Sequence, residues 1–249
     1  MMFRKQPSWL AGALIEIVVV VVSILIAFSL DAWWDRQMER RQEGELLAGL
    51  LSEFKEVEAQ IEEERRFHEA VKETTLLLME LSLSDDRPVQ ADSLDRLLGD
   101  LFWWGGESNY SSGTLTSVIA SGQISIIQND RLRDLLAEWP RVIGDIRENE
   151  ANEIWEYRNG LKPFMRTRAN MARLANQIEY EPGSEEPYPV TKVPESSSKT
   201  DHWALVKDPQ FHNLMLFRLW TNDDILTEFN EFHPHLEEIL TLLGDALQG

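Results

Sequence analysis

Histidines close to carboxylates are the residues of this sequence best suited to acid–base or metal chemistry. His68 follows Glu64 by four residues, and His212 follows Asp208 by four residues. Residues four apart share one face of a helix, so each pair can bring an imidazole and a carboxylate together. One such pair does not make a metal site, and helices often carry pairs of this kind by chance. We therefore interpret each histidine as a surface or capping residue.

The sequence lacks the common catalytic and metal-binding patterns. His233 and His235 are two residues apart and would fall on different faces of a helix. A di-iron bundle needs two Glu-x-x-His motifs, and this chain has none. It also has no cysteine, serine nucleophile elbow, Walker loop, zincin motif or dinucleotide fingerprint. We predict a protein that is not an enzyme and has no cofactor or metal. The alternative is an envelope enzyme or a metal- or ligand-binding helical bundle that uses His212, His233 or His235.

Glu16 is the ionisable residue that folding alone explains least well. It is the single charged residue in the apolar stretch from Trp9 to Leu30, which is 22 residues long. A helix of that length spans a hydrocarbon core of about 30 Å. Trp9 at one end and Trp33 and Trp34 at the other suit the two headgroup zones. The stretch predicts an uncleaved transmembrane helix, because the apolar region of a cleaved signal peptide is only about 7–15 residues long.

Small and polar residues gather on one face of this predicted helix, at spacings of three and four residues. Such a face is typical of close helix–helix packing in lipid. A carboxylate at this depth costs about 2.5–3.5 kcal/mol on insertion scales. Three interpretations of Glu16 stay open: pairing with a partner helix, a hydrogen bond across a homo-oligomer, and snorkelling towards the interface. The transmembrane stripe consists of Gly12, Glu16, Val20, Ser23, Ala27 and Asp31.

The residues from Glu16 to Trp33 read EIVVVVVSILIAFSLDAW. This segment resembles an uncharacterised family of bacterial single-pass membrane proteins, a domain of unknown function. Its members carry the pattern E-I-V-x-V-V-h-G-h-L-I-A-L-x-h-N-x-W, where h is hydrophobic, followed by a long charged helix. Glu16, Ala27 and Trp33 match this pattern, whereas Ser23 replaces a glycine and Asp31 replaces an asparagine. The resemblance implies a bacterial protein and no known activity.

Charge bears on the partners and on the orientation in the membrane. The formal net charge is −19, and such a surface repels nucleic acid. The expected partners are therefore the lipid bilayer and either a second copy of the chain or another membrane protein. Basic residues flank both ends of the apolar stretch, so their number does not decide the orientation. Resembling sequences have more basic N-terminal tails, which favours the inner membrane with a cytoplasmic N-terminus and a periplasmic bulk.

The chain beyond the membrane has a helical pattern. Apolar residues recur with heptad spacing from Leu47 to Ile61, which fits either a coiled coil between chains or the core face of a bundle within one chain. The predicted fold is all-α, with one N-terminal transmembrane helix followed by an elongated antiparallel helical bundle. The predicted segments are a basic tail (1–8), the transmembrane helix (9–30), a juxtamembrane helix (31–84), a helical bundle (85–179), a Pro/Ser/Glu-rich loop (180–207) and C-terminal helices (208–249).

The ends of the later helices carry recognisable capping residues. Asn129 is expected to cap one long helix, and Asp208 followed by Pro209 to begin the last one. Residues 180–201, within the predicted loop, are rich in proline, serine and glutamate and are expected to contribute nothing to a core. The inner side of the last helix is predicted to carry Phe211, Leu214, Met215, Phe217, Leu219 and Trp220. A second segment, in which Pro234 could introduce a kink, is predicted to carry Ile225, Phe229, Leu236, Ile239, Leu240 and Leu243. From these features we predict a non-enzymatic interaction, scaffold or sensor-like module that acts through helix association.

Overall fold

The computed structural model describes residues 8–101, 110, 112–180, 182–184, 191–195 and 200–248, and for residues 8–15 and 17 it describes the backbone alone. The described residues form helices and no β-strand, which confirms the predicted all-α class. The predicted basic tail lies outside the described residues, apart from Ser8. The α-helices are α1 (Ser8–Leu83), α2 (Ala91–Asp100), α3 (Gly113–Ala120), α4 (Asp130–Glu156), α5 (Lys162–Arg168), α6 (Met171–Gln177), α7 (His202–Val206) and α8 (Pro209–Gln248).

Helix α1 joins the apolar stretch to the bundle without a break. It has 76 residues, which corresponds to a length of about 115 Å. Near its N-terminus it is long and apolar enough to cross a membrane, and none of that apolar window is buried within the chain. The bundle begins around Leu47, the first buried residue of α1 among those whose side chains are described. That position is about 20 Å along the helix from Trp34.

Three long helices build the bundle, and α8 runs antiparallel to the other two. His68 and Ser82 of α1 hydrogen-bond to Asn222 and His212 of α8, so the two helices run in opposite directions. Ion pairs between α4 and α8 have the same reversed order. Helices α1 and α4 consequently run in the same direction, and each packs on α8.

The heptad residues of α1 lie in the core of their own chain. All five of them are at most 3 % exposed, and they pack against apolar residues of α4 and α8. The Phe54 and Trp139 ring centroids, for example, are 5.1 Å apart. A second apolar cluster fills the far end of the bundle, where α2, α5, α6 and α7 cover the ends of α1 and α8. The heptad residues buried in this chain are Leu47, Leu50, Phe54, Val57 and Ile61.

Polar side chains of α1 also hold the start of α3. The Glu53 carboxylate accepts hydrogen bonds from the backbone N–H groups of Thr114, at 2.6 Å, and Leu115, at 3.0 Å. These N–H groups are in the first turn of α3, where no helical carbonyl is available to them.

Asn129 caps α4 as predicted, because its Oδ1 accepts from the Leu132 N–H at 3.0 Å.

Three expectations about the C-terminal third are wrong. Residues 202–206 form α7 inside the predicted loop, and Trp203 and Val206 are buried. Helix α8 continues through Pro234 without a second segment. Phe217 and Trp220 were expected on its inner side but are 46 % and 53 % exposed, respectively. The reason is the helical period. It turns Arg218 towards Glu153 of α4 and Asn222 towards His68 of α1.

Candidate functional site

The transmembrane stripe lies on a part of α1 that no other described part of the chain covers. Glu16, Ser23, Ala27 and Asp31 are exposed, and so are the apolar side chains around them. The Ser23 hydroxyl donates to the Val19 carbonyl at 2.8 Å, so its hydrogen bond is satisfied within its own helix. For Gly12 and Trp9 the structure describes the backbone alone. In a membrane, this surface would face lipid or another helix.

On an ideal straight helix the stripe and the heptad residues would occupy opposite sides of α1. A straight α-helix turns by about 100° per residue. With that rotation, the mean direction of the stripe differs by about half a turn from the mean direction of the buried heptad residues. Helices α4 and α8 pack on the heptad residues, so this idealised geometry would put them on the side of α1 that is remote from the stripe.

A polar layer separates the two apolar clusters of the bundle. His68 Nδ1 lies 2.8 Å from Asn222 Oδ1, and the Asn222 amide donates back to the His68 carbonyl at 2.9 Å. Both side chains are fully buried. Since the Asn222 oxygen can only accept, the proton must be on Nδ1 of His68. His68 is therefore a buried residue that joins two helices, and its interpretation as a surface or capping residue is wrong.

The same layer contains an ion pair between α4 and α8. Glu153 Oε1 lies 3.7 Å from Arg218 Nη1, and both side chains are almost completely buried. Burial lowers the pKa of Arg218 because the charged form loses its solvation, and nearby Glu153 acts in the opposite direction. Neither carboxylate oxygen of Glu153 has a hydrogen-bond partner among the described residues. A buried carboxylate of this kind needs a donor.

A small cavity and an irregular helical turn lie next to this ion pair. The chain forms a π-helical turn from Tyr157 to Leu161, and such turns are frequent at functional sites. The cavity has a volume of about 10 Å³, which is the size of one water molecule. Its walls are Glu153, Glu156, Tyr157, Leu161, Leu214, Phe217, Arg218 and Thr221.

A second buried histidine organises the far end of the bundle. The Asp95 carboxylate accepts from His202 Nδ1 and from Arg173 Nε. The Asn170 N–H donates to His202 Nε2 at 3.2 Å, so both ring nitrogens are engaged. This arrangement makes His202 a structural contact between α2 and α7, with no nitrogen left for acid–base chemistry. The interpretation as a surface or capping residue is therefore wrong for His202 as well.

The histidines of the enzyme alternative are not brought together. His212 Nδ1 lies 2.9 Å from Ser82 Oγ, whereas His233 Nε2 lies 3.3 Å from Glu237 on the outer part of α8. Among the described residues there is no group of three or more His, Cys, Asp or Glu side chains that could hold a metal ion.

Comparisons with known proteins give no family for this chain. No protein-family model matches it, and no curated protein and no solved structure shows significant similarity to it.

Proposed function

We propose that the protein is a non-enzymatic module of the bacterial inner membrane that associates with a second copy of itself through the transmembrane stripe. The observation that carries this proposal is the exposure of the stripe on α1, and the half turn that an ideal helix puts between the stripe and the heptad residues supports it. Two copies could meet along Glu16, Ser23 and Ala27 while their bundles point away from each other. A stripe on the same side as α4 and α8 would bring the bundles into collision.

The continuity of α1 suggests how association would be used. The same helix carries the stripe in the membrane and the core residues of the bundle. A rotation or displacement of the paired membrane helices would therefore be passed to the bundle through α1. This is the behaviour expected of a scaffold or sensor-like module, in which a rigid element couples two regions.

The test is energy transfer between labelled copies in bilayers at several lipid dilutions. Glu16→Leu and Ala27→Leu should weaken association, the first by removing a hydrogen bond worth about 0.6–2 kcal/mol and the second by bulk. Glu16→Gln should largely preserve association, because an amide still forms hydrogen bonds. Leu25→Ala, on another face, is the matched control. Equal association of the wild type, Glu16→Leu and Ala27→Leu would refute the proposal.

We also propose that the N-terminus is cytoplasmic and the bundle periplasmic. This orientation is supported by Arg4 and Lys5 in the short tail. It is also supported by the more basic N-terminal tails of the membrane-protein family that the segment from Glu16 to Trp33 resembles. A reporter that is active only outside the cytoplasm, fused after Gly249, should be active. Activity of a cytoplasm-specific reporter at the same position would reverse the orientation.

A further inference from the structure

The outer face of α8 exposes two aromatic side chains in contact with each other. Phe217 is 46 % exposed and Trp220 is 53 % exposed, and their ring centroids are 5.5 Å apart in an edge-to-face arrangement. Large rings are usually buried in a folded protein, and exposed tryptophan and phenylalanine are enriched where partners bind. Both rings lie outside the two apolar clusters of the bundle.

Phe217 and Glu153 line the same small cavity. The Glu153 side chain is only 2 % exposed, and both of its oxygens lack a hydrogen-bond partner among the described residues. The Glu153 carboxylate is thus a hydrogen-bond acceptor close to the partly exposed ring of Phe217. The cavity has room for one water molecule, which could donate to this acceptor.

Negative charge accumulates on the same side of the bundle, beyond Trp220. The pKa of Glu228 is raised, first by burial and then by the charges of Glu231, Asp145 and Asp224, while Arg141 opposes the shift. Arg141 also pairs with Asp145 at 2.8 Å. These carboxylates repel one another, so a cationic group placed beside them would be stabilised.

The bilayer that holds α1 is too far away to cover this face. Phe217 is close to the level at which α8 passes Thr75 of α1, because His68 is opposite Asn222 and Ser82 is opposite His212. Thr75 is about 60 Å along α1 from Trp34. The aromatic pair would therefore face an aqueous compartment, where a protein partner is the suitable occupant.

We infer that the face of α8 from Phe217 to Glu231, with the adjoining surface of α4, binds a basic amphipathic helix of a partner protein. An apolar side chain of that helix packs on Phe217 and Trp220. Lysine or arginine side chains of the partner helix then reach Asp224, Glu228 and Glu231, which lie about 6–17 Å beyond Trp220 along α8. The binding mode is that of a helix laid on a helical surface. This surface is separate from the transmembrane stripe, so the inference goes beyond the proposed function.

The test uses the full chain in nanodiscs of phosphatidylcholine, which carries no net charge. The probe is a fluorescein-labelled peptide of about 18 leucine and lysine residues in an amphipathic helical pattern, and its anisotropy is measured at physiological ionic strength. The double variant Phe217→Ala/Trp220→Ala removes the apolar anchor. The triple variant Asp224→Asn/Glu228→Gln/Glu231→Gln removes the charge. The matched control is Glu56→Gln/Glu63→Gln/Glu73→Gln, which neutralises three exposed carboxylates of α1.

We expect each variant of the α8 face to bind the peptide about 10-fold more weakly, as for hot-spot residues, and the control to bind within about 2-fold of the wild type. Three results would overturn the inference. The first is equal weakening by the control, which indicates general attraction to an acidic protein. The second is equal binding of a peptide with the same residues in scrambled order. The third is self-association of the solubilised chain that is lost in the Phe217→Ala/Trp220→Ala variant, which assigns the face to a second copy.

Discussion

His68 of α1 and Asn222 of α8 hold each other by two hydrogen bonds, of 2.8 Å between the side chains and 2.9 Å from the Asn222 amide to the His68 carbonyl. The two residues are 154 positions apart in the sequence. Because both are fully buried between two apolar clusters, their pairing fixes the register of α8 against α1.

Replacement of Asn222 by leucine should destabilise the bundle. The change removes the acceptor of the His68 ring N–H and leaves that buried group unsatisfied, at a cost of about 1–3 kcal/mol, whereas the His68 carbonyl keeps its hydrogen bond within α1. Chemical denaturation of the wild type and of Asn222→Leu measures the difference in the free energy of unfolding. Asn230→Leu, at an exposed position of the same helix, is the control. A loss of less than about 0.5 kcal/mol for Asn222→Leu would contradict this role.

Glu53→Ala should loosen the start of α3. The carboxylate accepts from two backbone N–H groups of that helix, and loss of a cap costs about 0.5–2 kcal/mol. Hydrogen exchange should show faster exchange at Thr114 and Leu115, with little change at residues of α2. Glu56→Ala, exposed on the same helix α1, should leave the exchange of α3 unchanged. Unaltered protection of Thr114 in Glu53→Ala would show that the cap is dispensable.

Asp100, the last residue of α2, should make stability depend on pH. Burial raises its pKa to about 6 from an ordinary value of 3.8, and Arg96 only partly opposes this shift. The folded chain therefore binds a proton more tightly than the unfolded chain does, so this residue costs stability as the pH rises from about 4 to about 6. The cost is fully present above that range.

Asp100→Asn removes this titration and should stabilise the protein at pH 7.5 by about 1–2 kcal/mol, a value reduced for partial solvent exposure. Near pH 4 the variant and the wild type should have similar stability. The measurement is the free energy of unfolding at both pH values, and Asp86→Asn, at an exposed position shortly before the same helix, is the control. An equal effect of Asp100→Asn on the free energy of unfolding at the two pH values would contradict the raised pKa of Asp100.

The sequence predicts the fold where regular helical periodicity determines burial. The heptad of α1 from Leu47 to Ile61 is buried, and His68 continues the same inward-facing positions, so its burial could have been recognised. The prediction that Phe217 and Trp220 face the core is wrong, because the helical period of α8, and not hydrophobicity, determines which of its side chains are buried. That period puts Arg218 and Asn222 inside instead.

The polar contacts could not be predicted, because they join residues that are distant in the sequence. The Asp95–His202 contact spans 107 positions and forms only when α7 packs on α2. Helix α7 has five residues in a segment rich in proline, serine and glutamate, so no local pattern marks it. Its burial is a consequence of tertiary packing.

Disulfide crosslinking between copies tests the central claim, association through the transmembrane stripe, most directly. The chain has no cysteine, so single cysteines can be placed at Gly12, Ser23 and Ala27 of the stripe and, as controls, at Val18 and Leu25 on the opposite face. After oxidation in native membranes, the account predicts crosslinked dimers at the three stripe positions and little dimer at the two control positions. Equal crosslinking at all five positions, or a maximum at Val18 and Leu25, would contradict it.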